Sequence, residues 1–185
     1  VLAFAFQLSP PGNRLEGALI DAQQRALRQW SPPPALGDDV VVVGMDEDDL
    51  ASFPEPVALM HRELGAFLAA TRMGGARAVG LDVALPERSF DAIIPGLDGS
   101  LLRDLLKSRR GPPVVLARTL DAAGNVRPIE RRLLAIAGPD GVGLALFPRD
   151  ADGVVRRFDE ALGDQGAQVQ TLVGALVRRS GARPR

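Results

Sequence analysis

Val40-Val41-Val42-Val43-Gly44-Met45-Asp46-Glu47-Asp48-Asp49 is the stretch on which the fold turns. Val40–Met45 is continuously apolar and rich in β-branched residues, with no polar alternation. It therefore predicts a strand buried on both faces, the kind found in parallel sheets. An acidic cluster follows at once, then Phe53-Pro54-Glu55-Pro56. Met60, Leu64, Phe67, Leu68 and Thr71 recur at helical spacing, and Gly74-Gly75 stops that helix. Residues 76–83 predict a second strand, with Asp82 close to its end. Strand, helix and strand in this order predict a parallel pair joined by a right-handed crossover.

Downstream, Glu87–Gly99 reads as an acidic loop. Leu101, Leu102, Leu105 and Leu106 mark a short helix ended by Gly111-Pro112-Pro113, and Val114–Ala117 is a third strand. Asp121–Asn125 is a turn. Leu133, Leu134, Ile136 and Ala137 mark another short helix, closed by Gly138-Pro139. Val142–Phe147 and Val154–Phe158 are expected to pair as an antiparallel β-hairpin around Asp152-Gly153, because glycine accepts a positive φ at no steric cost. Val169, Leu172, Val173, Leu176 and Val177 mark a last helix. The predicted fold class is α/β: a three-layer domain with a mostly parallel sheet plus an antiparallel β-hairpin.

Upstream, Ser9-Pro10-Pro11-Gly12-Asn13 breaks the chain, with Asn13 as the expected N-cap. Leu15, Ala18, Leu19, Ala22, Ala26, Leu27 and Trp30 then follow helical steps of three and four. Ser31-Pro32-Pro33-Pro34 ends this helix in a stiff linker, which suits it to pack on a partner copy. Val1–Phe6 is apolar throughout. Two readings of residues 1–12 stand side by side: the stub of a transmembrane helix, or a flexible arm.

Composition narrows the function. With 185 residues the chain suffices for one ordinary domain and buries roughly 70% of its unfolded surface. It has no cysteine, which excludes disulfides, thiolate metal sites and a cysteine nucleophile. The formal charge is −1, aromatic content is 4% and tyrosine is absent, so nothing favours nucleic acid as a partner. No run of about 20 apolar residues is present to span a bilayer.

Several side chains stand where chemistry can occur. Asp46 and Asp82 leave the carboxyl ends of neighbouring predicted strands, beyond which open α/β sheets bind ligands. Such carboxylates can hold a divalent cation or a cationic ligand; helix capping by Asp46 or Asp48 is the simpler account. Asp46-x-Asp48 after a strand also resembles the first motif of aspartate-nucleophile, magnesium-dependent phosphatases. Leu50 stands where that family has Thr or Val, and Gly37-Asp38-Asp39 precedes the strand instead of following it. His61, the single histidine, reads as a surface or half-buried helical residue, with a pH sensor or ligand contact as the alternative. Arg156 and Arg157 face opposite sides of a strand, so one can turn inward to a carboxylate while the other stays in solvent. Arg118, just past the third strand, is a further candidate. No nucleophile elbow and no phosphate loop is present.

The blocks in order resemble one known family. Arg14-Leu15-Glu16 to Asp21, Val40–Leu50, Gly75–Val83, Pro113–Ala117, Gly143–Leu146, Asp150–Arg157 and the final helix are similar to CHASE-type extracellular sensory domains of the second type (CHASE2-like) over about Asn13 to Arg179. Members often carry Trp-Pro followed shortly by Arg after the first acidic cluster. Here Phe53-Pro54 and Val57 occupy those places, so any ligand contact made by that arginine in relatives differs here.

The resemblance implies a sensor that makes no covalent chemistry and needs no cofactor. It implies a place on the extracytoplasmic (periplasmic) side of the bacterial inner membrane, attached through flanking helices. It further implies an adenylate or diguanylate cyclase, histidine kinase or serine/threonine kinase inside. Residues 13–30 are expected to form a signalling helix with homodimer contacts at Leu15, Leu19 and Trp30, residues 38–179 the α/β sensory domain, and residues 180–185 a basic tail. A small-molecule or protein signal is expected near Asp46, Asp48, Asp82 and Arg118, with Asp152, Gly153 and Arg156 in a structural or interface role. A ligand-free interaction module is the remaining alternative.

Overall fold

The computed structural model describes residues 10–31, 40–163 and 168–181. The chain divides into two compact units. One is Val1–Asp46 with Pro148–Arg157, and the other is Glu47–Phe147 with Phe158–Arg185.

The larger unit is built on three parallel strands in the order β1 (Val79–Leu81), β2 (Val114–Arg118), β3 (Val142–Leu144). Val79 pairs with Val114, and Leu116 pairs with Val142. The central strand shows why a short apolar run suffices. Val114 and Leu116 point into one hydrophobic cluster, while Val115 and Ala117 point into another. Period-two alternation between two covered faces leaves no room for a polar residue in the strand's interior.

Three helices cover the first face: α3 (His61–Met73), α4 (Leu97–Ser108) and α5 (Arg131–Ala137). Leu64 and Leu68 of α3 and Leu101 and Leu105 of α4 meet Val79, Leu81, Val114 and Leu116. Leu68, Leu101 and Leu116 are fully enclosed, and each contributes about 1.5–3 kcal/mol by leaving water. One helix, α6 (Leu172–Ser180), covers the second face through Leu172 and Ala175. The result is helix, sheet, helix: the three layers and α/β class expected. A short helix, α2 (Glu47–Ser52), precedes these, and β4 (Ala161–Leu162) pairs antiparallel with β5 (Val169–Gln170).

Local chemistry sets the helix ends. The Glu130 carboxylate accepts from the N–H groups of Arg132 and Leu133 and so caps α5. Thr171 Oγ1 accepts from the Gly174 N–H at the start of α6. Gly75, at φ 73°, follows α3 in the left-handed conformation that glycine adopts freely.

The smaller unit carries α1 (Pro10–Trp30) and the turn at Asp150–Val154. The Gly153 N–H donates to the Asp150 carbonyl and the Asp150 N–H to that of Val154, with Gly153 at φ 82°.

Four expectations need correction. Val40–Met45 is not a strand: it lies exposed, Val42 at 87%, with no strand paired to it among the described residues. A β-branched run favours extended backbone, but a strand exists only where a neighbour takes its N–H and C=O groups. The hairpin of 142–147 with 154–158 is absent too; β3 stops at Leu144, and the antiparallel pair is β4–β5. Both edges of β3 are already taken, one by β2 and the other by the bridge from Leu144 to Thr171. The second strand shrinks from 76–83 to Val79–Leu81. The first helix begins at Pro10 rather than after Asn13, which fits proline's tolerance of the first helical turn. Val1–Phe6, the Pro32–Pro34 linker and the tail beyond Gly181 lie outside the described residues. Among those described, no helix is long and apolar enough to cross a membrane.

Candidate functional site

Parallel strands point their carboxyl ends one way, and the loops there form the usual ligand crevice of α/β sheets. Asp82 immediately follows β1 and is exposed; Arg118 ends β2 and is half-buried. Arg118 lies on the strand face shared with Val114 and Leu116. Arg118 lines a narrow cleft together with Leu85, Thr119, Arg127, Pro128 and Ile129. Its Nε is buried and has no hydrogen-bond partner among the described residues. An unsatisfied buried donor costs about 1–3 kcal/mol. At the rim, Arg127 donates from Nε and Nη2 to Glu87 Oε1 at 3.0 and 2.8 Å.

The other expected ligand residues are scattered. Asp82 and Arg118 form no ion pair among the described residues. Asp48 is exposed in the first turn of α2, where Glu47, Asp48 and Asp49 complement the positive end of the helix dipole. Asp46 precedes α2 and belongs to the smaller unit. Among the described residues no group of three or more carboxylates and histidines is placed to share a metal ion. The phosphatase motif requires a strand delivering Asp46, and Val40–Met45 is not one.

The sequence reading missed a buried polar network at the same end of the sheet. His61, far from being a surface residue, is 1% exposed at the first position of α3. Its Nδ1 stands 3.0 Å from Asp98 Oδ1. Neither atom makes an aligned hydrogen bond. Asp98 Oδ2 accepts from Ser89 Oγ at 2.6 Å and from Arg132 Nη2. Arg132 also donates to Asp91 Oδ2 and Glu130 Oε1, at 3.1 and 3.0 Å. Glu130 and then Asp91 raise the Arg132 guanidinium above its ordinary value. The Asp98 N–H, followed by Arg132, holds the Asp91 carboxyl below the usual range. One signal was available: His61 shares a helical stripe with Leu64 and Leu68, and Asp98 shares one with Leu101 and Leu105. Polar residues on core stripes predict a partnered, buried pair.

In the smaller unit, Arg156 is the centre of a clamp. Its side chain is 7% exposed, while that of Arg157 is 60% exposed. Nε and Nη2 donate to the two oxygens of Asp21 at 2.8 and 2.9 Å. Nη1 and Nη2 donate to Asp152 at 2.9 and 2.8 Å, and Nη1 to Asp150 at 3.0 Å. A Cβ at Gly17, one helical turn from Asp21, would stand 3.3 Å from the guanidinium carbon. The opposite face of α1 exposes Leu15, Leu19 and Trp30. The clamp requires three acidic residues from two distant segments, so it was not visible in the local pattern around Arg156.

With this geometry in place, comparison with known proteins gives one positive result. A family model described as the CHASE2 domain matches residues 1–183. No curated protein and no solved structure matches the chain.

Proposed function

The chain belongs to the CHASE2 domain family, and from this we propose that it is the signal-input part of a membrane-bound bacterial signalling protein. CHASE2 domains are sensory, non-catalytic domains of signalling proteins. The match across residues 1–183 is the observation that carries the reading. In this proposal the domain stands on the extracytoplasmic side of the inner membrane, and the output is a cyclase or a kinase inside the cell.

The signal acts at the carboxyl-end crevice of the sheet, where Arg118 and Asp82 stand. It switches the protein only by binding one arrangement more tightly than another. Two copies meet through α1, whose Leu15, Leu19 and Trp30 are 53%, 62% and 84% exposed. Support for the helix pairing comes from its spacing: Leu15, Leu19, Ala22 and Ala26 step by four, three and four, as in a two-helix seam.

An alkaline phosphatase reporter joined after Arg179 in the full-length protein tests the placement. The reporter needs disulfides that form only outside the cytoplasm, so activity is expected, and an intact but inactive fusion overturns the placement. Deleting residues 13–179 from the same protein should alter its cyclase or kinase output. Sedimentation of the full-length protein in detergent, with and without Leu19→Glu, tests the pairing, and the variant should shift toward monomer.

A further inference from the structure

We propose, resting on the sensory reading above, that the cleft at Arg118 recognises a single carboxylate or phosphate group of the signal molecule. Three observations lead there. Arg118 lines the cleft, and its buried Nε leaves the guanidinium with a charged donor that has nothing to donate to. Charged donors taken out of water are normally paired, and a strand end is a poor place to leave one orphaned. The cleft has room for about one water-sized group, which is the size of one anionic oxygen. Its lining is also electropositive: Arg118 and Arg127 contribute two guanidinium groups, against the one carboxylate of Glu87 held at the rim.

The Arg127–Glu87 pair gives the site a second contact. Both side chains are about half exposed, at 48% and 45%, and such pairs hold weakly. Arg127 bonds only one oxygen of Glu87. An anion seated with one oxygen against the Arg118 guanidinium can therefore draw the Arg127 guanidinium onto its second oxygen. Two arginines then clamp the group, the charge-assisted geometry that suits carboxylate and phosphate. The remainder of the signal molecule lies in solvent or against other surfaces.

The test is an NMR titration of the whole chain at constant ionic strength, with sodium acetate in one arm and inorganic phosphate in the other. The backbone amides of Ala117, Thr119 and Arg127 are the readout. Saturable shifts are expected in at least one arm, and the arm that saturates identifies the group. Arg118→Gln should abolish saturation, Arg118→Lys should weaken it, and Arg127→Gln should raise the apparent Kd several-fold. Amides of β2 and α6 check that each variant is folded. Linear shifts in both arms, or identical curves in Arg118→Gln, overturn the proposal: the cleft then holds water only. That outcome leaves the reporter and deletion results intact, so the two readings fail separately.

Discussion

Arg156 and Asp21 meet side-on, both carboxylate oxygens facing Nε and Nη2 of one guanidinium, across 135 residues of chain. This pair holds the polar side of α1. Replacing Arg156 by Ala removes every bond of the clamp and leaves Asp21, Asp150 and Asp152 to repel one another. Amide exchange in α1 is expected to accelerate, while exchange in β2 and α4 stays as in the parent. Arg156→Lys should restore only part of the protection, because an ammonium cannot match a planar bidentate partner.

The clamp also fixes a pH response. Arg156, and then the Val154 N–H, lower the Asp152 carboxyl to about 2 from an ordinary 3.8. Arg156 lowers Asp21 as well. A carboxyl depressed in the folded state stabilises it above its unfolded value, and that contribution fades as pH falls through the folded one. The clamp should therefore be complete above pH 3.8 and open as pH approaches about 2. Carboxyl NMR of Asp152 should give its midpoint there, and Arg156→Gln should return it toward 3.8.

Asp98 is buried between His61 and Arg132. Asp98→Ala removes the polar partner facing buried His61 and the bond to Arg132, and leaving a buried polar group unsatisfied costs about 1–3 kcal/mol. Changing His61 and Asp98 together to Leu should cost markedly less than the sum of the single changes. Urea unfolding of the four proteins in the cycle measures the difference.

Gly143 in β3 lies tightly against the start of α6. A Cβ there would fall 2.6 Å from the Thr171 carbonyl oxygen and 2.7 Å from the Leu172 nitrogen, all backbone that cannot rotate away. Gly143→Ala should destabilise by about 1–3 kcal/mol through overpacking. A shift of that size in the thermal or urea midpoint checks it.

Much of this architecture was legible because periodicity is local. The stripe of Leu64 and Leu68 and the Val114–Ala117 run each specify how many faces are buried, and that is enough to place a helix against a strand. Val40–Met45 shows the limit. Its residues are as strand-like as any in the chain, yet pairing depends on what stands beside the segment, and sequence records no neighbour. The turn at Asp152-Gly153 formed as expected while its ladder did not, since a turn is decided by two residues and a ladder by two whole segments. At the candidate site, the position of Arg118 followed from its place at a strand end. The isolation of its Nε is decided by the tertiary surroundings, which only the folded chain brings about.

The ties among His61, Asp98, Glu130 and Arg132 join the first turns of α3, α4 and α5 at a single knot. Helices fastened at one end lose their independence: tilting any of them drags the other two. Loosening this knot at any one member therefore weakens the anchorage of three helices at once.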